Sequence, residues 1–335
     1  MKKIILVFAL LLTLTKNVEA IEFVGSSYIV MDATTHEVLD QKNSHQRRSV
    51  ASISKIMSAI IAIENSKLDK IVTIDESISK AYGSAIYIHI GDQISIQDLL
   101  YGLMLRSGND AAAMLATSVA GSIDKFVVMM NQKASEIGMQ NTIFKNPSGL
   151  DEEDGGNIST SYDMALLMSY CMNNPIFEEI VSTKSYQRLD GNGSWKNKNK
   201  LLSRYEYCIG GKTGYTKIAK RTLVSAAKKN NTKLIIVTLN CGNDFEFHQK
   251  KYEQYFEQYQ STKLYEQGLL NYQDNYYFIK NDVLIDILPK DNIEVAIENS
   301  KLHIYKNKKI IKSIKIEKLT FIRLIKHIFK DCFNG

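Results

Sequence analysis

The sequence predicts an α+β fold, because β-prone runs lie in two distant parts of the chain and helical patterns fill the stretch between them. The β-prone runs begin near residue 28 and resume after residue 210, whereas the apolar residues between them recur at helical spacing. A sheet assembled from both ends of a chain around a helical block is an α+β arrangement. The 335 residues, 44% hydrophobic and 23% charged, suffice for one large domain and one small domain.

A β-hairpin and a helical block are the first predicted elements. Residues 28–32 and 37–41 are short β-prone runs separated by a polar turn, which is typical of a hairpin. Apolar residues at helical spacing then predict helices over residues 52–64, 96–105, 110–120, 122–137 and 161–173.

An antiparallel meander is predicted after residue 210, followed by a second domain. The meander strands and a closing helix cover residues 211–215, 222–227, 233–240 and about 247–259. Beyond residue 260 the composition becomes rich in Tyr, Ile and Lys, with β-prone runs at 276–280, 283–287 and 293–297. We therefore expect a main domain over residues 21–260 and a small β-rich domain over 261–313.

The first 20 residues have the pattern of a secretory signal peptide. A charged start at Lys2 and Lys3 precedes an apolar run over residues 4–14 and the small-residue ending at Ala20. An uncleaved anchor is the alternative, but 11 apolar residues are far fewer than the roughly 20 that a spanning helix needs. We expect cleavage after Ala20 and export to the extracytoplasmic face of the membrane or the cell wall.

The positive charge of the chain is concentrated at its C-terminal end. Residues 301–335 contain ten Lys or Arg and two acidic residues, a net charge of +8 that leaves −2 for the remainder. Residues 314–335 predict a basic amphipathic helix, with an apolar face of Phe321, Ile322, Ile325, Ile328, Phe329 and Cys332. In an exported chain this pattern favours an anionic membrane surface as partner over nucleic acid. A helix docked on the β domain is the alternative.

The cysteines predict neither a metal site nor a dense disulfide framework. Cys171, Cys208, Cys241 and Cys332 are widely separated and show no C-x-x-C spacing. Free buried thiols are favoured over a single bridge between Cys208 and Cys241. We expect no metal and no cofactor.

Three short motifs carry the chemistry, and the first pairs a hydroxyl with an amine. Ser52 and Lys55 are three residues apart at a helix start, which places both side chains on one face. The lysine can take the hydroxyl proton if burial or a nearby cation lowers its pKa, and Lys212 is the candidate cation. Alone, such a pair is more often a capping serine and a solvated lysine. Two further copies of the spacing begin at Ser77 and Ser122, but Gly83 interrupts the stretch after the first copy and Asp124 flanks the lysine of the second.

The other two motifs supply polar groups to the same cleft. Ser107 and Asn109 flank Gly108 in a turn between two predicted helices, although a helix cap would explain either residue taken alone. Lys212, Thr213 and Gly214 begin a predicted strand whose edge can hold an extended peptide, although they can also be a plain strand start. The cation and the hydroxyl there suit a terminal carboxylate.

In this order, S-x-x-K, S-x-N and K-T-G resemble the penicillin-recognising serine enzymes. Over residues 25–260 the chain resembles the D-alanyl-D-alanine carboxypeptidase branch of low-molecular-weight penicillin-binding proteins, and most of all its sporulation-type members. Supporting segments are residues 47–55, 144–151, 159–165 and 244–248. The chain lacks the arginine that some members carry near Asp244 to bind the substrate carboxylate.

The resemblance implies a β-lactamase/transpeptidase-like fold, and it assigns roles to the motif residues. Ser52 is expected to be the nucleophile, Lys55 the general base and Ser107 the proton shuttle. Asn109, Lys212, Thr213, Gly214 and Tyr215 are expected to bind substrate, with the backbone N–H groups of Ser52 and Tyr215 forming the oxyanion hole.

The implied function is removal of the terminal D-Ala from peptidoglycan pentapeptide stems through an acyl-serine, with β-lactams acylating the same serine. One alternative is a class A-like β-lactamase, in which Glu153, four residues before Asn157, would activate the deacylating water. Another is a penicillin-binding sensor or cell-wall binding protein that does not turn over.

Overall fold

The computed structural model describes residues 22–152, 156–288 and 291–320, which form two compact units. The first unit ends at Glu253 and the second begins at Gln254. The boundary predicted at residue 260 falls at the first residue of a strand, Gln260–Tyr265. The predicted signal peptide, residues 1–20, lies outside the described residues.

The helical block contains the predicted helices and several short additions. In the described ranges the α-helices are α1 Lys55–Asn65, α2 Ile96–Tyr101, α3 Asn109–Ala120, α4 Ile123–Ile137, α5 Ser161–Cys171, α6 Pro175–Ser182, α7 Leu201–Arg204 and α8 Asp244–Gln258. Two 3-10 turns, Ala51–Ser54 and Glu76–Lys80, and a π-helical turn, Gly102–Arg106, accompany them. Side-chain caps define several starts, since Ser95, Ser122 and Thr160 each accept a backbone N–H from the first turn of α2, α4 or α5.

Five antiparallel strands form the main sheet, in the order β2-β1-β11-β10-β9. The strands of the first unit are β1 Ser27–Asp32, β2 Val38–Lys42, β3 Arg48–Ser49, β4 Ile71–Thr73, β5 Gln93–Ser95, β6 Ile158–Ser159, β7 Ser185–Gln187, β8 Ser194–Lys196, β9 Cys208–Thr216, β10 Lys220–Lys229 and β11 Thr232–Leu239. The N-terminal hairpin therefore joins the later meander in one sheet, as the sequence predicts. This arrangement confirms the α+β class.

Helix α1 lies in the core between the sheet and the other helices. Nine of its residues, Lys55 to Ile63, are buried, and its apolar side chains belong to one core cluster with the inner faces of β1, β10 and β11. A helix that is apolar on all sides is stable only when other elements enclose it. The beginning of α1 is therefore held rigidly below the edge of the sheet at β9.

The second unit consists of short antiparallel strands around its own core. They are β12 Gln260–Tyr265, β13 Gly268–Tyr272, β14 Asn275–Ile279, β15 Val283–Ile287, β16 Ile293–Glu298, β17 Lys301–Lys306, β18 Lys309–Lys315 and β19 Glu317–Lys318. Ile279, Val283, Leu302 and Ile304 are among its buried residues.

The prediction of a helix beginning at residue 314 is wrong at that end. Lys315 closes β18, which pairs with β17, and β19 pairs with β14. Pairing with neighbouring strands satisfies the backbone N–H and C=O groups of this lysine-rich segment. Its apolar and polar residues do not alternate, so the sequence gives little sign of a strand. Residues 321–335, the remainder of the predicted helix, lie outside the described residues.

Among the described helices, one bent pair has the length and composition that a membrane-spanning segment requires. No single helix in these ranges is long and apolar enough to cross a membrane, and only α3 and α4 together, with an 85° bend between them, reach the required length and composition.

Candidate active site

Ser52 lies in a strained turn at the entrance to α1. The preceding residue, Ala51, has φ of 52°, in the left-handed region that non-glycine residues rarely adopt. Thr222 Oγ1 donates to the Val50 carbonyl at 3.0 Å and so ties this turn to β10. Strain that persists in an ordered structure is concentrated at functional sites.

Lys55, the first residue of α1, is completely buried beneath Ser52. Its Nζ lies 3.1 Å from Ser52 Oγ, 2.7 Å from Asn109 Oδ1 and 2.5 Å from the Ser148 carbonyl oxygen. The amine therefore has one hydroxyl and two carbonyl-type oxygens within hydrogen-bond distance. The structure brings together the hydroxyl and the amine that the first motif predicts.

The second motif lies where the helical block turns back toward α1. Ser107 ends the π-helical turn with φ of 66°, and Asn109 begins α3. Both residues are at most 5% exposed. Asn109 accepts from Lys55 through Oδ1 and donates through Nδ2 to the Tyr82 carbonyl, so its amide orientation is fixed by two partners.

The third motif occupies β9, which is an edge strand of the main sheet. Lys212 is 2% exposed, and its Nζ donates to Ser107 Oγ at 3.1 Å and to the Thr213 carbonyl at 2.7 Å. Thr213 and Gly214 are half-buried, and Tyr215 is 65% exposed. An edge strand has unpaired backbone groups that an extended peptide can use.

Two glycines allow other segments to approach the peptide between Ala51 and Ser52. A methyl group at Gly214 would lie 3.0 Å from the Ser52 nitrogen and 3.2 Å from Ala51 Cβ. Gly149, with φ of 77°, packs against the carbonyl side of the same peptide. The glycine of K-T-G thus brings the edge strand into contact with the backbone of Ser52.

Burial and like charges both favour neutral amines in this pocket. Burial, followed by the charges of Lys212 and Lys198, lowers the pKa of Lys55 well below its usual value, whereas Asp110 acts in the opposite direction. Burial, reinforced by Lys198, lowers the pKa of Lys212 to about 7. Both effects favour the neutral form at Lys55, where the charge of Lys212 adds to that of Lys198.

Some site residues were missed by the sequence predictions. Ser148 contributes its carbonyl oxygen, and Asn146 shapes that turn by accepting from the Ser148 and Gly149 nitrogens through Oδ1. Lys198, which is exposed and donates to Ser84 Oγ, acts on the two buried lysines through its charge. The Asn-Pro-Ser-Gly sequence at 146–149 indicates a turn, but the segment around Lys198 carries no comparable signal.

The two other copies of S-x-x-K have ordinary structural roles. Ser77 lies in the 3-10 turn Glu76–Lys80, which contains no buried residue, and its hydroxyl is 3.2 Å from Thr117 Oγ1. Ser122 accepts the Lys125 N–H and caps α4. Neither serine has a buried lysine beside it.

Several secondary expectations can also be compared with the structure. Arg221 of β10 lies beside Asp244, and its Nε and Nη2 donate to the Asp244 carboxylate at 3.1 and 2.7 Å. Cys171, Cys208 and Cys241 are free and buried, so the favoured prediction for these three is confirmed. Within the described ranges, no three His, Cys, Asp or Glu side chains are grouped closely enough to hold a metal ion.

Fold and site together define a protein of the penicillin-recognising serine class. A family model described as D-alanyl-D-alanine carboxypeptidase, peptidase S11, matches residues 14–243. The chain belongs to this family, which confirms the family predicted from the motifs.

Curated relatives carry the same description. The chain is 34% identical over 256 residues to the D-alanyl-D-alanine carboxypeptidase DacF of Bacillus subtilis, a match that covers 73% of this chain and 65% of DacF. It is 34% identical over 217 residues to the D-alanyl-D-alanine carboxypeptidase DacB2 of Mycobacterium tuberculosis, covering 64% of this chain and 74% of DacB2. The chain thus spans just under two thirds of the length of DacF.

Solved structures agree over most of the chain. Penicillin-binding protein 6B from Escherichia coli superimposes with a TM-score of 0.72 at 25% identity and covers 88% of this chain and 95% of its own. The D-alanyl-D-alanine carboxypeptidase DacD from Francisella tularensis gives a TM-score of 0.71 at 25% identity, covering 90% and 94%. These matches confirm the predicted penicillin-binding-protein fold.

Proposed function

We propose that this protein is a serine D-alanyl-D-alanine carboxypeptidase that removes the terminal D-Ala from peptidoglycan pentapeptide stems. The observation that supports this proposal best is the buried Lys55 amine, 3.1 Å from Ser52 Oγ in a pocket closed on one side by the edge strand β9. Family membership supports the substrate class. Assignment to the sporulation-type branch stays a prediction.

Lys55 is the proposed general base, since its contacts suit a neutral amine. Such an amine has two N–H groups and one lone pair, whereas an ammonium group has three N–H groups and no acceptor. Asn109 Oδ1 and the Ser148 carbonyl can take the two N–H groups, which leaves the lone pair for the Ser52 hydroxyl. Loss of the hydroxyl proton to Lys55 then activates Ser52 as the nucleophile.

The acylation step forms one bond and breaks one. Ser52 Oγ attacks the carbonyl carbon between the two D-Ala residues, and the C–N bond to the terminal residue breaks. The leaving amine needs a proton, and Ser107 is the proposed shuttle, because its hydroxyl accepts from Lys212 and is therefore free to donate its own proton. Water then hydrolyses the acyl-Ser52 ester and regenerates the hydroxyl.

Strand β9 is the proposed substrate platform. The stem peptide pairs with its edge and is held by Asn109, while the N–H groups of Ser52 and Tyr215 receive the developing oxyanion. The close approach of Gly214 to the Ser52 nitrogen supports this placement. Lys212 and Thr213 are proposed to bind the free carboxylate of the terminal D-Ala, and a β-lactam, which carries a similar carboxylate, acylates Ser52 in its place.

Two measurements on the purified protein test this function. Release of D-Ala from diacetyl-Lys-D-Ala-D-Ala is followed beside the lifetime of a fluorescent penicillin adduct. Steady release with a long-lived adduct supports the carboxypeptidase. Rapid hydrolysis of the adduct would instead indicate the β-lactamase, and an adduct without D-Ala release would indicate a sensor. Family membership does not favour either alternative, and Glu153, on which the β-lactamase alternative depends, lies outside the described residues.

We further propose that the protein is exported and attaches to an anionic membrane surface. Residues 1–20 are the proposed signal peptide. The basic C-terminal end of the chain, which includes residues 321–335, is the proposed attachment segment. The hairpin of β17 and β18 adds to the positive charge of this end, with exposed lysines at 301, 308, 309, 312 and 315. Fractionation of cells that produce the full chain or a chain ending at residue 320 tests this role. If both forms remain equally with the membrane, residues 321–335 are not the attachment segment.

A further inference from the structure

Asp151 connects four segments that surround Ser52. Its Oδ1 accepts from Thr216 Oγ1 at 2.9 Å and from Ser49 Oγ at 3.4 Å. Its Oδ2 accepts the Ile218 N–H at 3.3 Å, and its carbonyl oxygen accepts from the Tyr82 hydroxyl at 3.2 Å. The residue thus joins β3, the turn containing Gly149, the turn after β9 and the loop that contains Tyr82.

The contacts with Thr216 and Ile218 fix the end of the K-T-G strand. Thr216 is the last residue of β9, and its Oγ1 also accepts the Ala219 N–H at 3.0 Å, so one chain of hydrogen bonds spans the turn to β10. Tyr215 immediately precedes Thr216 on β9, which is the edge strand of the main sheet in the part of the chain that the structure describes. The direction of the Tyr215 N–H therefore depends on the hydrogen bonds that Asp151 and Thr216 make in this turn.

The opposite end of the connection is held by the turn that carries Ser148 and Gly149. Asn146 Nδ2 donates to the Leu150 carbonyl at 3.1 Å, directly before Asp151, while Asn146 Oδ1 organises Ser148 and Gly149. Asp151 consequently links the segment that contacts Lys55 to the segment that carries Tyr215. Oxyanion stabilisation depends on donors held within a few tenths of an ångström of their working positions.

We propose that Asp151 is a positioning residue for acylation, which acts through Thr216 and Ile218 to hold the Tyr215 N–H in the oxyanion hole. The assignment of the Tyr215 N–H to the oxyanion hole is part of the proposed function, and this inference rests on it. Asp151 itself touches no reacting atom. Its carboxylate accepts from Thr216 at the end of β9 and from Ile218 in the turn that follows, a task that an alanine cannot perform and that an asparagine performs with one oxygen.

The test compares D151A, D151N, T216A and the double variant D151A/T216A by their second-order rates of acylation with a fluorescent penicillin. D151A is expected to slow acylation about tenfold to hundredfold, less than the roughly hundredfold to thousandfold that follows complete loss of an oxyanion donor. D151N should recover part of the rate, since one acceptor oxygen remains for Thr216. The double variant should be slowed by less than the product of the two single effects, because both changes break the bond between Asp151 and Thr216.

D75A is the matched control, since Asp75 also accepts a backbone N–H, from Ser77, in a short exposed turn. Its acylation rate is expected to stay within about twofold of the parent. Melting temperatures measured in parallel separate loss of fold from loss of positioning. The proposal is wrong if D151A acylates at the parental rate, if the rate falls only with the folded fraction, or if the effects of D151A and T216A multiply.

Amide hydrogen exchange separates this proposal from the carboxypeptidase activity. Exchange at residues 215–219 is measured on the free protein and needs no substrate. D151A should accelerate it about tenfold or more relative to D75A, whether or not D-Ala is released. Unchanged exchange in this turn would refute the positioning role, whereas absent D-Ala release from the parent would refute only the proposed function.

Discussion

The backbone of Gly149 lies directly against the carbonyl of Ala51. A methyl group built at Gly149 would be 2.0 Å from the Ala51 carbonyl oxygen, far inside van der Waals contact. This proximity places the turn that contacts Lys55 beside the strained residue that precedes Ser52. The geometry around Ser52 therefore depends on backbone that only glycine allows at position 149.

Replacement of Gly149 by alanine is expected to disable the site. Gly149→Ala should lower penicillin acylation by at least about tenfold, because the Ala51–Ser52 peptide must move. Gly138→Ala is the matched control, since Gly138 also has positive φ, of 90°, but a methyl group there has nothing within 4 Å. Both changes should cost about 1 kcal/mol or more in backbone strain at positive φ, and Gly149→Ala should be the less stable of the two by denaturation because its methyl group also displaces the Ala51–Ser52 peptide. Equal acylation rates of the two variants would contradict the prediction.

Ser52→Ala is expected to abolish acylation. Without a hydroxyl beside Lys55 no acyl-enzyme can form, and the rate should fall by about a thousandfold or more. Ser77→Ala should label with fluorescent penicillin as the parent does, because Ser77 lies in an exposed 3-10 turn without a buried lysine. Gel fluorescence of the labelled proteins compares the two variants with the parent. Labelling of Ser52→Ala but not of Ser77→Ala would overturn the assignment.

The charge of Lys198 is expected to influence the pH dependence of acylation, in addition to the larger effect of burial on the two lysines. This charge lowers the pKa of both Lys55 and Lys212, so Lys198→Gln should raise both. In the proposed mechanism acylation requires neutral Lys55, so the rate should fall as the pH falls through the pKa of Lys55. The acid limb of the rate profile should therefore move to higher pH, and by more at low salt than at high salt. Lys196→Gln, two residues away on β8, is the control, and equal profiles for both variants would refute the effect.

The sequence predicts the pairing of Ser52 with Lys55 because both residues share one helix start, and it predicts the main sheet from clear β-prone runs. It does not predict β18, because the lysines and isoleucines of Lys309–Lys315 do not alternate and pairing with β17 determines its structure. It also misses Lys198 and the Ser148 carbonyl, because these act through space and through the backbone. A local pattern contains little information about charges and carbonyls that tertiary folding brings together.

Thr213 is expected to contribute to recognition of a free C-terminus. If its hydroxyl binds the terminal carboxylate, Thr213→Val should raise KM for diacetyl-Lys-D-Ala-D-Ala about tenfold, whereas the much poorer hydrolysis of the corresponding D-Ala amide should change little. Thr73→Val, at an exposed position of β4, is the control. A loss of the same size on both substrates would show that Thr213 does not discriminate between carboxylate and amide.

Burial of His248 is expected to make the protein less stable in acid. Its ring nitrogens contact Ser225 Oγ at 2.7 Å and Thr238 Oγ1 at 3.0 Å beneath the sheet, and burial lowers the pKa of His248 to about 3. The unfolded chain takes up a proton near pH 6.5, whereas the folded protein does not until about pH 3. This residue should therefore lower the free energy of unfolding by up to about 1.4 kcal/mol for each pH unit below 6.5. Urea unfolding at pH 7, 6, 5 and 4 should show a shallower decline for His248→Gln than for the parent or for the exposed control His89→Gln. Parallel curves for all three proteins would mean that His248 is protonated equally in both states.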